Sequence, residues 1–164
     1  MAIPIIVLEA ASSASAGLLT TPLLLMILFR QKYPRWWFDW NWALLQFWSR
    51  VSVYVLLMRD EYPSTENEQA VHLEMAYPDA REELGRFMQL FKWLLAIPHY
   101  IALAFLAVAV LAVSIYAWFA ILVTGKHPKG AFEFVEGSMR WVNRVISYAF
   151  IMTTDQYPPF RLKE

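Results

Sequence analysis

Residues 100–123 read YIALAFLAVAVLAVSIYAWFAILV and contain no Asp, Glu, Lys or Arg. At about 1.5 Å per residue, a helix of this length crosses a hydrocarbon core of about 30 Å. Gly125 follows in the position that commonly ends a helix, and Lys126 follows it. We therefore predict a membrane-spanning helix from Tyr100 to Val123.

The composition of the whole chain agrees with a membrane protein. Hydrophobic residues make up 59% of the chain and charged residues only 17%, whereas soluble domains have about 45–50% and about 25%. Lys plus Arg and Asp plus Glu number 14 each, so there is no basic surplus that would indicate nucleic acid as a partner. Cysteine is absent, which excludes disulfides and thiolate metal sites.

The uncharged stretch extends upstream of residue 100 as far as Lys92. Together, the 33 residues between Lys92 and Lys126 are too long for one untilted span. Pro98 offers a break, which predicts an interfacial helix over about 84–97. Residues 59–86 hold eight acids and three bases and predict a soluble acidic segment. Within it, Val71–Met75 alternates weakly like a short strand.

A second uncharged run of 20 residues, Ala10–Phe29, predicts another span near the start of the chain. Its small residues, such as Ala10 and Gly17, suit close packing of helices. A cleavable secretory signal is disfavoured, because no basic residue precedes the run and Glu9 interrupts it. We expect an anchor that the mature protein retains.

The two spans belong to an internal repeat with a period of 94–95 residues. Residues 32–35, KYPR, align with residues 126–129, KHPK. Arg50-Val51 aligns with Arg144-Val145, and after a one-residue slip 60–63, DEYP, aligns with 155–158, DQYP. Each unit is thus an apolar span, a basic turn, an aromatic or amphipathic helix and a D-x-Y-P ending.

The predicted fold class is an all-α integral membrane protein built from two parallel repeats of a helical hairpin. The repeats are residues 1–63 and 99–164, separated by the soluble segment and interfacial helix over 64–98. Residues 36–58 and 131–153 could either span the membrane or lie in its interface. We prefer about four spans, because both basic turns then face the cytoplasm, as basic loops do.

Four quoted segments resemble a known family: KWLLAIPHY over 92–100, WFAILVTGKHPKG over 118–130, RWVNRV over 140–145 and TDQYPPF over 154–160. Their combination is similar to the bacterial membrane family known as domain of unknown function 4389. The fuller match covers about 70–161, and a degenerate second copy covers about 18–63. The resemblance implies a multi-pass protein of the bacterial cytoplasmic membrane and implies no activity.

Charged residues within the amphipathic helices are the sharpest candidates for contacts with partners or lipids. An Arg inside a span is costly unless it faces the bundle, pairs with an acid or reaches the headgroups. Arg50 and Arg144 could bind a lipid phosphate or a partner carboxylate, or could form structural pairs within the chain. The polar stripe on 131–153 adds Glu133, Glu136 and Arg140.

Other residues predict anchors at the membrane interface rather than chemistry. The predicted anchors are Trp36, Trp37, Tyr62, Tyr157, Asp60 and Asp155, with each aspartate capping a turn. His99 and His127 could ligate haem or a chlorophyll, but a structural role is favoured because they are too far apart for one centre. We predict no catalytic residues, metal site or cofactor, and no enzymatic activity.

Three classes of function remain. The preferred one is an accessory or scaffold subunit of a larger bacterial membrane complex, with lipids and other membrane subunits as its partners. The alternatives are a small transporter or channel and a pigment- or haem-binding subunit.

Overall fold

The computed structural model describes residues 22–64, 69–73, 75–79, 84–85 and 87–162. Residues 22–30 are helical, and four α-helices follow: α1 (Arg35–Val55), α2 (Met88–Leu95), α3 (Ile97–Thr124) and α4 (Lys129–Ile146). A π-helical turn, Ser147–Ile151, continues α4. The described part of the chain is all-helical with no strand, so the short strand predicted over 71–75 is wrong for its described residues.

Helix α3 contains the predicted span. The stretch Met88–Thr124, which joins α2 and α3, is the one described helical stretch long and apolar enough to cross a membrane. It ends as predicted, because Gly125 adopts φ 68° and its N–H donates to the carbonyl of Ile121 at 2.8 Å. The predicted first span, Ala10–Phe29, lies outside the described residues except for its helical end.

The break between α2 and α3 falls at Ala96 rather than at Pro98. Pro98 instead occupies the first turn of α3, where its missing N–H leaves no helical hydrogen bond unmade. The side chains of Gln89, Lys92, Ala96 and His99 are all fully buried. Their spacing of three or four residues places them on one face, which packs against the end of the chain.

Helices α3 and α4 form an antiparallel hairpin. Trp141 of α4 donates its indole N–H to His99 Nδ1 at 3.2 Å, near the start of α3. Farther along the chain, Tyr148 packs against Ala96. The last turns of α4 and the π-helical turn therefore lie beside the start of α3.

Helices α1 and α4 pack with opposite chain directions. Tyr33, just before α1, donates its hydroxyl to the carbonyl of Ile151, beyond the end of α4. Deeper in the pair, Asn143 donates to Ser49 Oγ at 3.2 Å. The basic turn at Lys32 thus lies at the opposite end of α4 from the basic turn at Lys126. Parallel repeats would give α1 and α4 the same direction, whereas these two helices run in opposite directions. The four-span repeat itself stays a prediction, because most of the first span lies outside the described residues.

The largest described core cluster joins the two ends of the chain. It contains Leu23, Ile27, Tyr33, Trp37, Phe38, Leu84 and Met152. Burial of Tyr33 raises the pKa of its phenol, so this hydroxyl remains a neutral donor to Ile151 at physiological pH. The start of α1 is thereby fixed to the end of the α3–α4 hairpin.

Candidate partner and lipid contact site

The C-terminal segment after the π-helical turn binds the buried face of α2 through a buried ion pair. Lys92 Nζ lies 2.8 Å from Asp155 Oδ1 and also donates to the carbonyl of Thr154 at 2.6 Å. Asp155 accepts two further hydrogen bonds, from Gln89 Nε2 at 2.8 Å and from the Gly85 N–H at 2.6 Å. A buried charge of this kind requires such a full set of partners.

Aromatic rings continue this contact along α3. The His99 ring stacks on Phe160 with centroids 3.9 Å apart and meets Trp141 edge to face. Tyr157 donates to the carbonyl of Leu95 at 3.3 Å. We name Lys92, His99, Trp141, Asp155, Tyr157 and Phe160 the C-terminal clasp. It holds the chain end against the start of α3.

Asp155 is therefore more than a local turn cap. The sequence predicted that it would bind nearby backbone N–H groups, whereas its backbone partner is Gly85, 70 residues away. Asp60, at the matched position of the first unit, is exposed. The role of Lys92 was missed by sequence reasoning, although Lys92 and Asp155 both stand in the quoted family segments.

Both candidate arginines bind main-chain carbonyls. Arg50 donates from Nη1 to the carbonyl of Ser64 at 2.6 Å, and Arg144 donates from Nη2 to the carbonyl of Arg161. Each carbonyl belongs to the segment that follows a D-x-Y-P ending. The arginines thus hold these segments against α1 and α4, and neither bond uses an acid of the polar stripe.

The other stripe residues are exposed or partly exposed on α4. Arg140 and Glu136 form an ion pair at 2.8 Å, with 50% and 43% of their side chains exposed. Glu133 lies exposed one turn earlier. These three side chains therefore lie at the surface of the described part of the chain rather than in its interior.

The predicted aromatic anchors divide into exposed and interior side chains. Trp36 is 60% exposed, whereas Trp37 is 1% exposed and lies in the core cluster. Tyr62 and Tyr157 are both about half exposed. Trp36 and the two tyrosines are therefore exposed enough to contact a membrane interface, whereas Trp37 is not.

Two connected grooves run along the polar stripe. The first, about 550 Å³, lies between α4, the segment 154–159 and residues 72, 73 and 75, and its lining includes Arg140, Asn143 and Arg144. The second, about 240 Å³, lies between α1 and α4 and includes Ser49, Glu136 and Arg140. His72, Leu73, Arg140 and Asn143 line both grooves. We call the first the arginine groove.

The described residues contain no cluster of His, Asp or Glu that could hold a metal ion. His99 bonds to Trp141, and His127 lies in the turn before α4 with Nδ1 3.1 Å from the carbonyl of Pro128. The two histidines do not contact each other.

The part of the chain that contains the C-terminal clasp matches a known family. Residues 88–161 match the family model described as Domain of unknown function (DUF4389). This segment belongs to the DUF4389 family. The match begins at residue 88 rather than at about 70, and it does not extend to residues 18–63. All six clasp residues lie inside the DUF4389 segment.

No curated protein and no solved structure matches the chain.

Proposed function

We propose that the protein is an accessory or scaffold subunit of a larger bacterial membrane protein complex. Its contribution is to make helix–helix and lipid contacts rather than to catalyse a reaction. We also propose that it is a multi-pass protein of the cytoplasmic membrane. Its partners are membrane lipids and other membrane-protein subunits.

The observation that carries this proposal is an exposed ion pair beside an apolar helix. An apolar cleft lies between α1, α3 and α4, and its lining includes Leu103 and Val110 of α3 and Val135 and Val142 of α4. The pair Glu136–Arg140 belongs to this part of α4, so it lies level with the first half of α3, with Arg140 nearer the start of that helix. Charged groups at such a depth are costly against lipid. A neighbouring subunit or an aqueous groove satisfies them.

The surface of α2 and α3 supports lipid contact over most of its area. Only His99 and Ala117 are buried among the 28 residues of α3. Phe105, Val108 and Leu122 are each more than 60% exposed. Apolar side chains presented to this extent fit a lipid environment or the helices of another subunit.

We further propose that the two halves are inverted repeats of a helical hairpin. The supporting features recur at the predicted offset of 94 residues. Gln31 and Gly125 both have positive φ, 46° and 68°, and their N–H groups donate to Ile27 and Ile121. Pro34 and Pro128 then precede α1 and α4 with nearly equal backbone angles.

Matched contacts extend to the ends of the two units. Tyr54 and Tyr62 meet edge to face at 5.9 Å, and their counterparts Tyr148 and Tyr157 meet edge to face at 5.8 Å. The hydrogen bond between Asn143 and Ser49 joins matched positions, 94 residues apart. Contact between equivalent residues is what a pseudo-two-fold axis between two inverted units produces.

The one-residue slip has a local explanation under this proposal. The positive-φ residue that ends each unit is Leu57 in the first and Met152 in the second, an offset of 95. The π-helical turn Ser147–Ile151 lies immediately before Met152. A π-helical turn accommodates one additional residue in a helix, which makes the slip.

Association is tested by charge reversal on the exposed stripe. Glu136→Lys should shift the native protein from a large assembly toward a smaller species in mild detergent. The reason is that it places a second positive charge beside Arg140. Lys129→Glu, at the exposed start of the same helix and outside the stripe and both grooves, is the control. A wild-type protein that is monodisperse and monomeric from native membranes would refute the subunit proposal.

A small transporter is the second candidate, because transporters often have inverted repeats with a site at the interface of the repeats. The groove between α1 and α4 occupies that place. Reconstitution of the protein alone into liposomes, followed by flux measurements, separates the two functions. Flux that Ser49→Leu abolishes would favour transport over a scaffold role.

A further inference from the structure

We propose that the arginine groove binds a phosphate ester, in the form of the headgroup of an anionic lipid. Arg140 and Arg144 both line this groove. Guanidinium groups recognise phosphate oxygens through paired hydrogen bonds. This inference rests on the proposed membrane location but not on association with other subunits, because a monomer contains the whole groove.

The remaining lining residues suit a phosphate as well. Ser147, Thr154 and Gln156 bring hydroxyl and amide groups to the same groove, and Asn143 lies beside Arg144. These groups can donate to the ester and non-ester oxygens. A volume of about 550 Å³ falls in the range of ligand sites, about 300–1,000 Å³.

The two arginines are held in place by protein contacts. Arg144 donates to the carbonyl of Arg161, which sets the guanidinium against the C-terminal segment. Arg140 is paired with Glu136 at 2.8 Å from the neighbouring turn. Because Glu136 lines the second groove and not the first, its carboxylate flanks the proposed anion site rather than occupying it.

The location of the groove favours a lipid over a soluble phosphate. Its wall includes Tyr157 and Pro158, which belong to the segment that packs on His99 at the start of α3. The apolar helix begins there, and headgroup phosphates lie just outside the hydrocarbon core. Tyr157 is 44% exposed and Phe160 is 54% exposed, so apolar surface borders the groove where acyl chains would lie.

The experiment measures the unfolding temperature of the purified full chain in mild detergent against ligand concentration. The probes are short-chain phosphatidylglycerol, inorganic phosphate and an uncharged short-chain diacylglycerol. Phosphatidylglycerol should raise the unfolding temperature in a saturable manner that weakens with salt. Protection by diacylglycerol equal to that by phosphatidylglycerol would overturn the proposal, because the phosphate would then contribute nothing.

Variants locate the site. Arg144→Gln and Arg140→Gln should each weaken phosphatidylglycerol binding about tenfold or more, as loss of a charge-assisted hydrogen bond predicts. Lys129→Gln removes one charge from the other end of α4 and should change binding less than about twofold. Glu136→Gln should retain or strengthen binding, because it keeps Arg140 and removes a nearby negative charge.

Two further outcomes decide the source of the phosphate and separate binding from folding. Inorganic phosphate that protects as strongly as phosphatidylglycerol would overturn the lipid assignment. Arg144→Lys keeps the charge and loses the bidentate geometry, so an intermediate affinity is expected in a chain that still folds. Wild-type affinity in all of the arginine variants would refute the site.

Discussion

Lys92 is a charged side chain on the longest apolar helical stretch of the described chain, yet none of its side chain is exposed. Its ammonium group is enclosed by Asp155, the carbonyl of Thr154 and the ring of Tyr148, whose centroid lies 5.2 Å away. Desolvating an ammonium group costs several kcal/mol, which these contacts must offset. The ion pair therefore determines where the chain end docks.

Removing one partner of this pair should be strongly destabilising. Lys92→Met leaves Asp155 without its cation and should lower the free energy of unfolding by about 3 kcal/mol, the lower end of the range for buried pairs, because 24% of the Asp155 side chain is exposed. Unfolding in detergent followed by tryptophan fluorescence measures the change.

The exposed pair offers a matched control for Lys92→Met. Glu136→Gln breaks an ion pair of equal length, 2.8 Å, and should cost at most about 1 kcal/mol. The double variant Lys92→Met with Asp155→Leu should recover part of the loss, since it leaves no unpaired charge. Equal costs for Lys92→Met and Glu136→Gln would contradict the structural role of the clasp.

At the scale of elements, α4 must approach the C-terminal segment very closely. Gly137 lies at this approach: a Cβ atom there would stand 2.7 Å from the carbonyl oxygen of Leu162 and 3.1 Å from its Cβ. No helical residue with a side chain fits unless the segment moves. Glycine at this position thus permits the docking of 154–162 on α4.

Gly137→Ala should consequently destabilise the protein by about 1–3 kcal/mol, as overpacking does. It should also increase the susceptibility of the C-terminal segment to limited proteolysis. Gly130→Ala, in the first turn of the same helix with open space around it, should instead stabilise the protein slightly, by at most about 0.5 kcal/mol. Stabilisation by both substitutions would show that the C-terminal segment is not packed against Gly137.

At the scale of the whole molecule, the direction of the two halves decides the topology. The contact of Tyr33 with Ile151 places the first basic turn beside the end of the second unit. Under the proposed inverted arrangement, with a span before each turn, Lys32 and Lys126 face opposite sides of the membrane. This reverses the expectation from loop charge, under which both turns are cytoplasmic.

Single cysteines in this cysteine-free chain can test the topology with an impermeant thiol reagent. Lys32→Cys and Gln156→Cys should label from one side of the membrane, and Lys126→Cys and Asp60→Cys from the other. All four positions are exposed. Labelling of positions 32 and 126 from the same side would refute the inverted arrangement and restore the parallel one.

The family and several elements could be predicted from the sequence because they depend on local patterns. The apolar run over 100–123 and Gly125 predicted α3 and its end, since both depend on neighbouring residues alone. The aromatic segment after Pro34 and the amphipathic segment after Pro128 likewise predicted helices close to α1 and α4. The π-helical turn, by contrast, was visible in the sequence only as a one-residue shift in the alignment of the two repeats.

Only the tertiary structure decided how these elements meet. The sequence by itself determined the helical class of the described residues, the one membrane-length helix among them and a set of DUF4389 motifs. The burial of Lys92 against Asp155 and the antiparallel packing of α1 on α4 join residues at least 62 positions apart. The periodicity of apolar residues shows which face of a helix is apolar. It does not show which other element of the fold packs against that face.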